Sequence, residues 1–337
     1  MVKRIAVLTS GGDAPGMNSA IRSICKSAKL KNVETFLVYE GFKGLYEDNI
    51  INSNDIDLDF FNSRGGTCIF SARFEEFKNK EYRLKAIDNL KKRKIDALII
   101  IGGDGSFQAA QDLFNDGFKT VGIPGTIDND IPSSDYSIGY DTALNTVTKN
   151  IDSIRDTANS QKRIMIIEIM GNRCGLLTLD AGQATGAEVI STPEYTLSYE
   201  DIANSCLKIT NEKYIEDKQA LYQLRRCIIV VVTEKLYDLE KLKSQISAKT
   251  NWVTRYNVLG HLQRGGNPTA RERQIASQFG TEAVKALLSG KSGIIIGMNG
   301  SDFVSIPIEK ALKMKLDEKR KKIKEMTKEY TVLNSLK

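Results

Sequence analysis

Six times along the chain, a run of β-branched and aliphatic residues passes directly into a loop of glycine and polar groups. The instances are RIAVLTSGGDAPG (4–16), IDALIIIGGDGSF (95–107), TVGIPGTIDND (120–130), RIMIIEIMGNRCG (163–175), CIIVVVTEK (227–235) and YNVLGHLQRGG (256–266). Such unbroken apolar runs fit strands buried on both faces of a parallel sheet. Between them lie helical stretches such as 141–157, where Ala143, Leu144, Val147, Ile151 and Ile154 keep helical spacing. Strand and helix alternate, which predicts a doubly wound α/β fold. At 337 residues the chain exceeds one typical core, and two similar Rossmann-like lobes with largely parallel sheets are expected. In such sheets ligands collect beyond the carboxyl ends of the strands. All six polar loops fall at that end, so they are candidates for one shared site.

Composition narrows the class. Cys25, Cys68, Cys174, Cys206 and Cys227 are odd in number, scattered and free of C-x-x-C spacing, which argues against a disulfide framework or a zinc site and for a reducing cytosol. The N-terminal apolar run is too short for a signal sequence, and no apolar run is long enough to cross a bilayer, so a cytoplasmic chain without a membrane partner is expected. The formal charge of +6 is the balance of 48 basic and 42 acidic residues, with much of the excess in KMKLDEKRKKIKEMTK (313–328). A solvated helix accounts for that tail, and no nucleic-acid partner is expected.

The loops carry the chemistry. In Gly11-Gly12-Asp13-Ala14-Pro15-Gly16 the glycines allow backbone amides to approach a ligand and the proline suits a helix's first turn, an arrangement used to hold phosphate. It matches neither G-x-G-x-x-G nor the Walker pattern, and a plain tight turn explains it equally. Gly102-Gly103-Asp104-Gly105-Ser106 repeats the theme with a carboxylate between glycines. Asp104 reads as a Mg²⁺ ligand or as the N-cap of a helix starting near Phe107. At a third strand end, Thr126, Asp128 and Asp130 place a hydroxyl and two carboxylates within five residues. One carboxylate can take a hydroxyl proton while the other acts through magnesium, which meets most of what phosphoryl transfer asks of a protein. The bland alternative is an Asx-turn at Asp128 and Asn129. For a phosphorylated substrate the cationic candidates are Arg73, Arg163, Arg255, His261 (the only histidine) and Arg264.

Taken in order, LTSGGDAPGMN, IGGD followed by GSF, PGTIDNDI and VLGHLQRGGNP resemble the bacterial 6-phosphofructokinases, from residue 3 to about residue 300. The resemblance implies ATP as co-substrate, Mg²⁺, fructose 6-phosphate as acceptor and a homotetramer. It makes Asp128 the base for the sugar 1-hydroxyl, with Thr126 and Asp130 placing that hydroxyl. Asp104 becomes the metal-side carboxylate, and Gly11, Arg73, Phe74, Gly103, Gly105 and Ser106 line the nucleotide. Met170, Gly171 and Glu234 would hold the fructose ring, and His261 and Arg264 its 6-phosphate, which Arg163 and Arg255 reach from a neighbouring subunit.

Two departures from the family pattern matter. Where the family reads G-R-x-C-G, this chain has Gly171-Asn172-Arg173-Cys174-Gly175, so the catalytic arginine candidate is Arg173, displaced by one residue. For an effector such as ADP or phosphoenolpyruvate, Arg22, Arg155 and Glu188 match the family's pocket, Lys26 stands where arginine is often found, and Arg225 and Arg226 join it from a longer 210–226 segment, but Asp55 stands where a basic residue is usual. Weak or altered allosteric control is expected. Pyrophosphate-using members carry an aspartate after G-G-D and a lysine before T-I-D-N-D; Gly105 and Gly125 here point to ATP. A pyrophosphate-dependent enzyme and a non-catalytic nucleotide sensor are the competing readings. The expected lobes are 1–138 with 251–305 for the nucleotide, and 139–250 with 306–337 for the sugar phosphate.

Overall fold

A computed structural model of the chain describes residues 2–212 and 226–333. It divides into two compact units, Met1–Ala143 with Arg264–Lys315 and Leu144–Gln263 with Leu316–Lys337.

The first unit is built on a seven-stranded sheet. Its strands are β1 (Arg4–Thr9), β2 (Glu34–Val38), β3 (Ile50–Asn52), β4 (Ala97–Gly102), β5 (Lys119–Pro124), β10 (Ile294–Asn299) and β11 (Asp302–Pro307), in the order β11-β10-β5-β4-β1-β2-β3. The central pairs β2-β1, β1-β4, β4-β5 and β5-β10 are parallel, while the two edges, β2-β3 and β10-β11, are antiparallel. Every residue of β4, ALIIIG, is buried, as expected of a strand covered on both faces. Leu8, Leu98 and Ile100 pack with Leu90 from one helix and with Phe107, Ala110 and Leu113 from another. From β1 the sheet grows towards β2 on one side and β4 on the other, so the loops after β1 and β4 flank a topological switch point, where α/β sheets open a crevice.

The second unit has a four-stranded, wholly parallel sheet of β6 (Arg163–Ile169), β7 (Val189–Ser191), β8 (Ile228–Thr233) and β9 (Val253–Val258), ordered β7-β8-β6-β9. Ile164, Ile166, Val230 and Val232 pack with Ile202, Leu242 and Ile246 from its helices.

All six anticipated runs form strands at their apolar ends. Three expectations need correction. β9 is not buried on both faces: it is the sheet edge, and Val253 and Val258 are about half exposed. The lobe boundaries also shift. Residues 251–263 belong to the second unit because β9 pairs along β6, and 306–315 belong to the first because β11 pairs with β10 and the following helix packs on the first sheet's core. The basic tail is not a wholly solvated helix. In Asp317–Leu333, Ile323 is buried with Cys174 and Leu179 of the second unit, and Met326 and Tyr330 pack against that cluster.

Candidate active site

In the first unit the carboxyl ends of β1, β4 and β5 open into a cavity of about 460 Å³, within the range of small-molecule sites. Its lining includes Gly11, Arg73, Phe74, Gly103, Asp104, Gly105, Ser106, Thr126, Asp128 and Arg264. Every residue expected to line the nucleotide is therefore gathered at one place.

Local backbone explains the gathering. Gly11 has φ of +85°, a left-handed turn that glycine tolerates. Pro15 does not open a helix as expected; it precedes Gly16, the N-cap of the Met17–Lys29 helix. The Asp104–Asn115 helix starts directly after β4 with Gly103 as N-cap, so Asp104 lies inside the first turn and is not the cap. No side chain caps this helix, which leaves first-turn N–H groups available to an anion. A Cβ added at Gly103 or Gly105 would meet nothing within 4 Å, so both glycines face open space. Gly125 differs: a Cβ there would lie 2.9 Å from Ile101 Cγ2 and 3.1 Å from Met17 Cε. Its smallness is required by packing, so only Gly105 carries the donor argument. One wall of the cavity is aromatic, with Phe42 and Phe77 stacked at 4.5 Å and Phe74 6.3 Å from Phe77.

Asp128 is 8% exposed and lines this cavity, as does Thr126, whose Oγ1 accepts a hydrogen bond from Asp128 N at 3.2 Å. Asn129 helps to hold the loop: its Nδ2 donates to Asp135 O at 3.0 Å. Burial, and after it the charge of Asp130, push the Asp104 carboxyl up to about 6. Among the described residues no group of three or more His, Cys, Asp or Glu could cage a metal alone. Mg²⁺ is commonly held by one or two carboxylates together with substrate phosphates, and the hard oxygens of Asp104 and Asp130 fit that mode. Arg264 lies against Gly12, where any side chain would collide with its guanidinium, and Nη1 donates to Asp13 O at 3.3 Å.

The second unit gathers Met170, Glu234 and His261 around a cavity of about 120 Å³ at the ends of β6, β8 and β9. Glu168, which the sequence reading missed, lines it too; burial, and then the Glu234 charge, raise its carboxyl above the ordinary range. Buried Gln263, also missed, ties the site together, accepting from Met170 N and donating to Gly260 O, both at 3.0 Å. Its position between His261 and Arg264 was the available signal. Gly171 is required because a Cβ would meet Cys174 O at 2.3 Å. Asn172 has φ of +53°, which asparagine tolerates better than arginine, and its N donates to Glu234 Oε1 at 3.0 Å. Arg173 lines a cavity of the second unit with Arg320, Lys321 and Lys324, and its carbonyl accepts from Arg320 Nη2 at 3.3 Å.

A family model described as "Phosphofructokinase" matches residues 4–287. The chain belongs to the phosphofructokinase family. It is 48% identical over 336 residues to an ATP-dependent 6-phosphofructokinase of Mycoplasmopsis pulmonis, covering 99% of each chain. To an ATP-dependent 6-phosphofructokinase of Vibrio cholerae it is 46% identical over 304 residues, 90% of this chain and 92% of the relative. Among solved structures, phosphofructokinase from Saccharomyces cerevisiae superposes with a TM-score of 0.82 at 30% identity; the match covers 98% of this phosphofructokinase and 48% of the yeast chain.

The remaining residues of this phosphofructokinase divide between its units. Arg163 opens β6 and pairs with Val253, while Arg255 pairs with Met165, so both arginines project from one face of neighbouring strands. Of the effector candidates, Arg22 and Lys26 lie in the first unit on one helix, where both meet Asp59 at 2.5 and 2.8 Å. The carboxylate that confronts these cations is therefore Asp59, not Asp55, which is exposed and outside the adjoining cavity of about 520 Å³. In the second unit Arg155 Nη2 donates to Thr185 O at 2.6 Å, and its Nη1 lies 4.0 Å from Oε1 of buried Glu188. Exposed Arg226 donates its backbone N–H to Asn159 Oδ1 at 2.6 Å, and Arg225 lies outside the described residues.

Proposed function

We infer that this phosphofructokinase transfers the γ-phosphoryl group of ATP to the 1-hydroxyl of fructose 6-phosphate, giving fructose 1,6-bisphosphate and ADP in glycolysis. One observation carries the reading: in a chain 48% identical along its length to a relative named for that reaction, Asp128 lines the same cavity as the Gly103-Asp104-Gly105 turn.

The residues divide the work. First-turn N–H groups after Gly103 receive phosphate oxygens, Arg73 meets their charge, and the Phe42, Phe74 and Phe77 wall accepts the base. Asp128 takes the proton from the attacking hydroxyl, and Thr126 and Asp130 hold that hydroxyl in line. Because the transition state is loose and the proton leaves late, a carboxylate suffices as base. Magnesium, when bound, neutralises charge on the transferring phosphate, and Asp104 with Asp130 would hold it. Met170, Gly171 and Glu234 orient the sugar, and His261, with Arg264 three residues on, receives its 6-phosphate. Arg163 and Arg255 complete that phosphate site from another copy of the chain in a homotetramer; the partly exposed β9 face that carries Arg255 supports this.

The assay is phosphoryl transfer to fructose 6-phosphate with magnesium, comparing ATP and pyrophosphate in parallel. Turnover with ATP alone is expected. Pyrophosphate-driven turnover would overturn the donor assignment, and silence with both would overturn the activity. The location is the cytoplasm; among the described residues no helix is long and apolar enough to cross a membrane.

A further inference from the structure

Glu272 lies in the first turn of the Ala270–Leu288 helix and is fully buried. Thr269-Ala270-Arg271-Glu272 has the spacing of a capping box, in which the glutamate turns back to the N-cap N–H. Only half of the box forms. Thr269 Oγ1 accepts from Glu272 N at 3.0 Å, but the carboxylate reaches across to a second helix, Tyr140–Ser160. Its Oε1 accepts from Gly139 N at 2.9 Å and Tyr136 OH at 3.0 Å; its Oε2 accepts from Thr142 N and Thr142 Oγ1, each at 3.1 Å. The N–H that the box would have used, on Thr269, donates instead to Thr142 Oγ1 at 3.2 Å. Two helix starts thus cap each other.

What Glu272 grips is the returning arm of the loop that carries the proposed base. The outgoing arm runs from Pro124 through Thr126, Asp128 and Asp130; the returning arm is 136–139. The arms are joined by Ile138 N to Pro124 O at 2.9 Å and by Ser137 Oγ to Thr126 O at 2.6 Å. Ser137 Oγ also lies 3.2 Å from Asn129 Oδ1. Between the two aspartates Asn129 has φ of +47°, an uncommon conformation that needs such support.

We propose that Glu272 is a positioning residue for phosphoryl transfer, fixing the 136–139 arm and through it the backbone that presents Thr126 and Asp128. The inference rests on Asp128 being the base. An ionised carboxylate only accepts hydrogen bonds, which suits four converging donors. An amide in its place must turn its NH₂ towards either Gly139 N or Thr142 N; the hydroxyls can rotate to accept, but a backbone N–H cannot. A base must lie within hydrogen-bond reach of its proton, and a shift of about 1 Å can cost roughly 10²-fold in rate.

The test compares wild type, Glu272→Gln, Ser137→Ala and the double variant in steady-state assays with ATP, magnesium and fructose 6-phosphate, alongside thermal melts. Glu272→Gln should lower kcat about 10- to 100-fold while both KM values stay within about threefold and the protein is folded at the assay temperature. Ser137→Ala keeps every Glu272 bond and should also lower kcat, and the double variant should lose less than the product of the single losses. A wild-type kcat in either single variant would overturn the role, as would activity lost only in proportion to unfolded protein. No turnover by the wild type would overturn the activity itself, whereas a fast wild type beside an equally fast Glu272→Gln refutes the positioning role alone.

Discussion

Asp59 Oδ1 lies 2.5 Å from Arg22 Nε, and its second oxygen lies 2.8 Å from Lys26 Nζ. One carboxylate thus engages two of the cations expected to receive an effector phosphate, and the bonds from Lys26 and then Arg22 hold its carboxyl below the ordinary range. The wild type should therefore respond weakly to ADP or phosphoenolpyruvate. Asp59→Asn removes the competing charge, so either compound should then shift the apparent KM for fructose 6-phosphate. A variant as unresponsive as its parent would sink the idea.

Asp128→Asn keeps the shape of the side chain and removes its ability to accept a proton. We expect kcat to fall by about 10²-fold or more, with KM for fructose 6-phosphate nearly unchanged. Steady-state kinetics decide it: retained turnover would exclude Asp128 as the base.

Gly105→Asp projects a charged side chain into the open space that the cavity keeps beside this residue. KM for ATP should rise by about tenfold or more while the melting temperature barely moves, because surface changes without new contacts usually fall within about 0.5 kcal/mol. Gly125→Ala should show the reverse, a destabilisation of about 1–3 kcal/mol from overpacking against Ile101 and Met17. Equal melting temperatures for the two variants would contradict this contrast.

Burial pushes the Glu272 carboxyl up to about 7, against the opposing pull of the hydrogen bonds from Gly139, Thr142 and Tyr136. The unfolded chain releases that proton near its ordinary value of about 4.3. Between those values the folded state binds more protons, so this group's contribution to stability is full below about 4.3, declines as pH rises, and is lost above about 7. From pH 5 to 8 the wild type should lose stability relative to Glu272→Gln, which has no such proton to release, and parallel traces across that range would refute the assignment.

Much of this was legible before any coordinates. A run such as ALIIIG reads as a strand buried on both faces with a turn at the glycine that follows, so the strand ends follow from order alone; what order did not give is the division, in which the loops after β1, β4 and β5 line one cavity of the first unit while those after β6, β8 and β9 line another of the second. That Asp104 and Asp128 line one cavity was legible because each sits in a loop that directly follows an apolar run, at neighbouring ends of one sheet. Glu272 escaped the sequence for the opposite reason: its spacing fits a local rule, the capping box, while its bonds go to residues more than a hundred positions away. Asp59 was invisible because Arg22 and Asp59 are brought together by tertiary packing. β9 reads as a core strand, yet it lies at the sheet edge, because an apolar pattern does not say how many strands flank it.

The division of the first unit into Met1–Ala143 and Arg264–Lys315 has a consequence for how the chain emerges from the ribosome. β5 exists early, but its partner β10 is made only after all four strands of the second sheet. The sheet that begins second is therefore the first that can be completed. A fragment ending at Gln263 would carry that finished sheet together with the open edge of β5, an edge of the kind that recruits other chains. The nascent enzyme is thus most prone to aggregate just before the segment that supplies β10 is synthesised.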